Sequence, residues 1–392
     1  MNVAFLSPYF PPHYHPFCRH LKDAGVSVLG IGDAAYDLLS RQVREALTEY
    51  YRTESLHDYD ALLRACGYFI HRYGRLDRFE SLNEFWLDTE ARIRDDFNIP
   101  GVRGEQIQFI RRKSKMKETF RKAGVSVAQG RVANSLEEGR DFAAAAGYPI
   151  VAKPDAGVGA LDTFRLETDA DLERFYRKKP DVDYFLEAFV TGTIVSFDGL
   201  ADRDGRAVFH TAHVFSQGIM ETVNEARHIY YHSLREVPED LEALGLRCLE
   251  AFQVRERFFH IEFFRTPDGG LVGLEVNMRP PGGFTTDMFN YACDIDIYRA
   301  WAHLLAYGDA GLAGYRRDYY CCYASRKARY AYRYDHQTIL DRFGDRIRQV
   351  ESVPGVFSSA LGDVGYIFRS PDLEEMREIA AFIQATEGKG TA

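Results

Sequence analysis

The run His260-Ile261-Glu262-Phe263-Phe264-Arg265-Thr266-Pro267-Asp268-Gly269-Gly270-Leu271-Val272-Gly273-Leu274-Glu275-Val276-Asn277-Met278-Arg279 alternates apolar and polar residues on either side of an Asp-Gly pair, the signature of a β-hairpin. A turn centred between Asp268 and Gly269 sets Glu262 opposite Glu275 and His260 opposite Asn277. Period two then sends Glu275, Asn277 and Arg279 to one face. Like charges directly opposite one another destabilise a sheet, but the same pair becomes favourable with a divalent cation between the carboxylates. Magnesium suits such a site, because it takes one or two carboxylates and fills its shell with substrate phosphates and water. The neighbours Phe258, Phe259, Phe263, Phe264, Leu274 and Val276 imply burial, which favours metal ligation over two solvent-facing glutamates.

A phosphate-rich ligand also needs cations. Lys153 closes the apolar run Pro149 to Ala152 and precedes Asp155-Ala156-Gly157-Val158-Gly159-Ala160. A lysine there can reach phosphate oxygens while Gly157 and Gly159 let backbone N–H groups approach; taken alone it reads more readily as a solvated strand end. Lys113, within Arg111-Arg112-Lys113-Ser114-Lys115-Met116-Lys117, reads by itself as one cation of an exposed helical face.

The first hundred residues alternate strand-like and helix-like runs, which predicts a parallel sheet because parallel strands need crossovers. Strands are expected at Val3–Leu6, Val26–Leu29 and Gly67–His71, with helices at Phe17–Ala24 and Tyr59–Cys66. The stretch Leu82–Phe97 is amphipathic and stops at Asn98-Ile99-Pro100-Gly101. Beyond Gly104 a basic helical run continues to Lys122. A strand over Val125–Val132, a helix over Ser135–Ala146 and a strand over Pro149–Lys153 follow, then a helix over Asp169–Lys178 and a strand over Tyr184–Val190. Ser135 and Glu138 are spaced as a capping box. The predicted units are 1–104, 105–310 (with a small lobe at about 125–187) and 311–392. With no internal repeat and no low-complexity linker, they should pack closely.

The 392 residues carry 49 Lys and Arg against 58 Asp and Glu, for a formal charge of −9. That balance argues against nonspecific association with nucleic acid or an anionic membrane. No apolar run approaches the roughly 20 residues of a membrane-spanning helix, and Met1 to Pro16 lacks the basic start of a signal peptide. Cys18, Cys66, Cys248, Cys293, Cys321 and Cys322 show no C-x-x-C spacing and read as reduced thiols of a cytoplasmic protein.

Taken in order, Lys113, Lys153 with its glycine loop, Glu187-Ala188-Phe189-Val190-Thr191-Gly192, Glu262 and Glu275-Val276-Asn277-Met278-Arg279 resemble the ATP-grasp superfamily over about residues 105–310. His260-x-Glu262 and the additional C-terminal unit look most like carboxylate–amine ligases of the L-amino-acid ligase type. The resemblance implies an α/β, ATP-grasp fold: an N-terminal parallel α/β domain, a small α/β lid lobe, a larger α+β lobe and a C-terminal α+β extension. It implies that Lys113 and Lys153 hold ATP phosphates and that the backbone of Glu187, Ala188, Phe189 and Val190 meets adenine. Glu262, Glu275 and Asn277 would carry magnesium, with manganese as a substitute, and Arg279 would steady the transferred phosphoryl group. The family often places an acid for the ribose two positions after the hinge glycine; here Thr193 and Ile194 follow Gly192, leaving that contact unassigned. Asp155 also brings a negative charge to the phosphate loop. The implied activity joins a small-molecule carboxylate to an amine through an acyl-phosphate, releasing ADP and phosphate, with a homodimer as the assembly considered. Glu221, Asn224, Arg227 and His228 lie in a polar loop ahead of the hairpin and are candidates to face substrate. The rival readings are a bicarbonate-using carboxylase or carbamoyl-phosphate-type synthetase, and a nucleotide-binding regulatory protein without turnover.

Gly30-Ile31-Gly32-Asp33-Ala34-Ala35 fits a dinucleotide fingerprint, but follows the second strand rather than the first. His13, His15, Cys18 and His20 cluster without a second set of metal ligands, which favours a structural or substrate-facing loop. The segment Tyr315 to Tyr334 holds seven Tyr and six Lys or Arg, a pattern that can stack on single-stranded nucleic acid. In an acidic chain it reads instead as a strand pair with packed tyrosines. Cys321 and Cys322, adjacent in a strand, should point to opposite faces.

Overall fold

The first apolar runs do build a parallel sheet. In the computed structural model, which describes residues 1–157, 162–216, 218, 222 and 227–387, β1 (Asn2–Leu6), β2 (Ser27–Gly32), β3 (Glu49–Arg52) and β4 (Arg78–Glu80) pair in the order β3-β2-β1-β4. All three pairings are parallel. The strand expected at Gly67–His71 does not exist; the chain there is one helix, Tyr59–Tyr73. Leu62, Ala65, Cys66 and Phe69 recur at helical spacing and are fully buried, and Asp58 and Gly74 set the two ends. That apolar stripe outweighs the cost of about 1 kcal/mol for the mid-helix Gly67.

The basic run is likewise two helices, Gly104–Arg111 and Lys113–Lys122, broken at Arg112. Asp155 causes the restart. Its carboxylate accepts from the Ser114 N–H (2.8 Å) and Ser114 Oγ (3.1 Å), capping the second helix from across the chain. The single strand expected over Val125–Val132 splits in two. β5 (Ser126–Val127) joins the central sheet, whereas β6 (Gly130–Val132) forms a separate sheet with β7 (Ile150–Pro154), β8 (Phe164–Leu166) and β9 (Tyr184–Ala188) in the order β6-β9-β7-β8. Helices Leu136–Ala146 and Asp169–Lys178 cover this small sheet, the first with the Ser135–Glu138 capping box formed.

The central sheet adds β10 (Thr193–Ala201), β11 (Ala207–Phe215), β12 (Tyr230–Ser233), β13 (Arg257–Arg265), β14 (Leu271–Asn277), β15 (Tyr320–Arg326), β16 (Ile347–Ser352) and β17 (Val364–Ser370). Among the described residues its order is β16-β17-β15-β12-β11-β10-β13-β14-β5, so strands from the last quarter of the chain extend the same sheet. In the tyrosine-rich segment only β15 is a strand, flanked by β12 and β17. Cys321 and Cys322 are both fully buried, in separate cores: Cys321 with Phe17 and Trp301, Cys322 with Met376 and Ile379. No described helix is long and apolar enough to cross a membrane.

Candidate functional site

The β13–β14 hairpin forms with the expected register, Glu262 opposite Glu275 and His260 opposite Asn277; a bulge after Glu262 then shifts Phe263 onto Gly273. On the other side of β13, β10 places Ser196 opposite Glu262 and Asp198 opposite His260. These strands floor a cavity of about 520 Å3 that the small lobe roofs with Val151, Lys153 and the segment Glu187 to Val190.

At one end lies the hinge. β9 stops at Ala188, so Phe189 and Val190 leave the strand. The Ala188 and Phe189 N–H groups are bonded to Gln129 O (2.8 Å) and Pro149 O (3.2 Å), and the Arg165 guanidinium stands 4.2 Å from the centre of the Phe189 ring. Next come three buried lysines. Lys113, Lys117 and Lys153 are 4%, 2% and 6% exposed, so Lys113 is not on a solvated face. Lys153 is ion-paired with Glu187 Oε1, and Lys117 Nζ lies 3.3 Å from Glu187 Oε2 and 2.9 Å from Gly273 O. Burial alone would push the Glu187 carboxyl up, but the two ammonium groups hold it at about 2. Burial lowers Lys117 to about 8 against the opposing pull of Glu187. Asp155, which faced the expected phosphate position in sequence, is turned onto the Lys113–Lys122 helix and Arg112 (3.2 Å).

Beyond the lysines sit the paired carboxylates. Glu275 is raised above the ordinary carboxyl range by burial, with Glu84 and Glu262 adding repulsion that Lys113 and Lys153 partly offset. Such a carboxylate gains from a cation. Among the described residues no three His, Cys, Asp or Glu side chains converge as a ligand set. Two glutamates plus the Asn277 amide therefore fit an ion that draws its remaining oxygens from phosphates and water, as magnesium does. His260 orients Glu262: its Nε2 is 3.3 Å from Glu262 Oε1 while its Nδ1 meets Asp198 Oδ1 at 2.5 Å. Asp198 also accepts from Ser196 Oγ (2.5 Å) and meets His213 Nδ1 (2.7 Å). Burial works against the charged forms, yet this pairing raises His260 to about 10 and depresses Asp198.

Arg279 closes the row, two residues past the end of β14. Its Nη2 is 2.5 Å from Glu84 Oε2, and its Nη1 donates to Pro280 O (2.8 Å). The arginine expected to steady the transferred phosphoryl group is thus held in the cavity wall by an acid from the N-terminal unit. Of the four polar-loop candidates, Glu221 and Asn224 lie outside the described residues, as does Gly159. Arg227 and His228 do not line the cavity; His228 packs beside Tyr330 and Tyr332.

Sequence reasoning missed Lys117, Asp198, His213 and Glu84. Lys117 had a signal, being four residues past Lys113 on the same helix face. Asp198 had a weaker one, a polar residue alternating, like Ser196, with Val195 and Phe197 in a strand. Glu84 had none, because only the fold brings it to Arg279. Of the discounted clusters, His13 bonds Gly283 O (2.9 Å) and His20 pairs with Asp296 (3.2 Å), so these histidines serve separate contacts. Gly30 and Gly32 make room for Leu47 and Tyr50.

No family model matches the chain. Among curated proteins it is similar to the L-arginine-specific L-amino acid ligase of Bacillus subtilis, at 24% identity over 253 residues that span 62% of this chain and 61% of that protein. Among solved structures, the L-amino acid ligase from Bacillus licheniformis superposes over 99% of both chains with a TM-score of 0.76 and 15% identity. The biotin carboxylase domain of Hydrogenobacter thermophilus 2-oxoglutarate carboxylase, solved with MgADP and bicarbonate, covers 98% of this chain and 90% of its own, with a TM-score of 0.70 and 17% identity. An N5-carboxyaminoimidazole synthetase from Staphylococcus aureus superposes over 97% and 96% at 0.70 and 13%. The chain shares the ATP-grasp fold of these structures.

Proposed function

We propose that the protein is an ATP-dependent carboxylate–amine ligase acting on small molecules in the cytoplasm. The observation that carries this reading is the order of groups along one cavity: hinge backbone, buried lysines, paired glutamates, arginine. That order follows the order of groups in a nucleotide, from base to γ-phosphate. Lys113, Lys117 and Lys153 would neutralise the phosphates, and Glu262, Glu275 and Asn277 would hold magnesium. The ion, when bound, would draw charge from the β- and γ-oxygens. The substrate carboxylate oxygen attacks the γ-phosphorus, the bond to the bridging oxygen breaks, and ADP leaves. The amine then attacks the acyl carbon and phosphate departs. Arg279, held by Glu84, would face the transferring group, and the small lobe would keep water from the acyl-phosphate.

The test is the product pair. Labelled ATP should yield ADP and phosphate, and hydroxylamine should trap a hydroxamate when the acid is supplied without its amine. Release of AMP and pyrophosphate would overturn the assignment. ADP release that needs bicarbonate and no organic acid would replace it with the carboxylase reading.

A further inference from the structure

The cavity does not end at Arg279. It continues past Pro281, Gly282 and Gly283 to a wall made by Phe215, Tyr231, Phe357, Ala360 and Leu361. Phe215 and Tyr231 stack with centroids 5.1 Å apart and planes at 19°. The other three residues come from the short helix Gly355–Leu361, which is fixed from both sides. Tyr323 Oη donates to Leu361 O (2.7 Å), Lys327 Nζ donates to Ser359 O (2.7 Å), and Phe10 of the N-terminal unit stacks on Phe357 at 5.4 Å. Gly283, at φ +65°, makes the join: a Cβ there would stand 3.2 Å from Leu361 Cδ1 and 3.3 Å from Tyr231 Oη.

The two hydroxyls at this end, Tyr231 and Thr285, are bonded to one another. Thr285 Oγ1 donates to Gly282 O (2.8 Å), so the Tyr231 hydroxyl, 3.0 Å away, donates to Thr285. Carboxylates line the rest of the cavity, but each is engaged nearer the nucleotide end. Glu84 holds Arg279, Glu187 holds two lysines, Asp198 meets two histidines, and Glu262 and Glu275 form the metal pair. Among the described residues none is left to meet a cationic side chain at the far end.

We propose that this compartment holds the side chain of the acid substrate, and that the acid is therefore one with an aliphatic or aromatic side chain rather than a charged one. This rests on the ligase reading, which puts the acid's carboxylate between the metal pair and Arg279. Its side chain then extends away from the adenine end, onto Tyr231 and the Gly355–Leu361 helix. Buried apolar area is what such a wall can reward, and one methylene in a pocket of this kind discriminates by about 10-fold or more. The L-arginine specificity named for the Bacillus subtilis relative is not expected here, because among the described residues a guanidinium would meet no free counter-charge at this end.

Calorimetry on the full chain saturated with magnesium and a non-hydrolysable ATP analogue tests this, with leucine, phenylalanine, alanine, arginine and glutamate as probes. Leucine and phenylalanine should bind about tenfold or more tighter than alanine, arginine or glutamate. Ala360→Trp, which fills the compartment, should weaken leucine by at least about tenfold and leave nucleotide affinity unchanged. If that variant fails to fold, Leu361→Ala should lose leucine affinity by a similar factor. Arginine or glutamate binding as tightly as leucine would overturn the proposal, as would a soluble, folded Ala360→Trp protein that binds leucine normally. A parallel hydroxamate assay separates the two levels. The predicted binding order without any hydroxamate sinks the ligase reading and keeps the compartment. Hydroxamate formed only from charged acids does the reverse.

Discussion

Replacing Glu187 with glutamine keeps the shape of the site and removes the one negative charge between two buried ammonium groups. The structure sets the size of the effect. The carboxyl is held near 2 instead of its ordinary 4.5, and at 1.36 kcal/mol per pKa unit that is about 3 kcal/mol of folding free energy. The loss expected from removing one partner of a buried ion pair, about 3–5 kcal/mol, agrees. Because the folded-state pKa is depressed, this stability is fully present above the unfolded value and disappears as pH falls through about 5 toward 2. Lys117 adds a second pH arm of opposite origin. Its folded pKa is lowered to about 8, so its charged form opposes folding, and stability rises as pH climbs from about 8 toward 10.5. Removing Glu187 lowers Lys117 further and lets it shed its proton earlier. Urea denaturation followed by tryptophan fluorescence, on wild type and Glu187→Gln from pH 4 to 9, reads both arms. The variant should be weaker by about 3 kcal/mol at pH 7, with the gap narrowing below pH 5 and again as Lys117 deprotonates. A gap below about 1 kcal/mol at pH 7, or one that does not change with pH, would refute the view that these charges form one buried unit.

Glu275→Gln should abolish magnesium-dependent turnover while leaving thermal stability without metal unchanged or slightly higher, because it removes both a ligand and a repulsion; retained activity would dismiss the metal assignment. Lys153→Ala should weaken ATP by about 1–3 kcal/mol in equilibrium binding, with adenosine unaffected; equal ATP affinity would return the lysine to a structural role. Arg279→Ala should lower kcat far more than it raises the KM for ATP, whereas Glu84→Gln should show a milder version of the same kinetics because it frees the guanidinium rather than removing it. Asp155→Ala should cost about 1 kcal/mol through loss of the helix cap, and should raise the KM for ATP because the uncapped turn carries Lys113; an unchanged KM would show that Lys113 is placed without it.

The hairpin register, the capping box, the parallel first sheet and the opposed cysteines were all legible in the sequence. Each depends on periodicity or on contacts within a few residues, and a linear pattern records those. Local pattern failed at Gly67, where a glycine read as a break was carried by a buried helical stripe. It failed again at Arg112, where the break is made by Asp155 from another element. The candidate site divides the same way. Glu262, Glu275 and Asn277 come together because two adjacent strands fix their spacing. Lys117, Glu187 and Lys153 meet only when the small lobe folds over the Lys113–Lys122 helix. Glu84 reaches Arg279 across 195 positions, and the apolar wall is completed by a helix near the other end of the chain. The sequence alone determined which chemistry the central hairpin could hold, since side-chain identity and period two are local properties. Only the tertiary structure decided which charges neutralise one another and which side chains wall the cavity, because burial and electrostatic pairing act through space rather than along the chain.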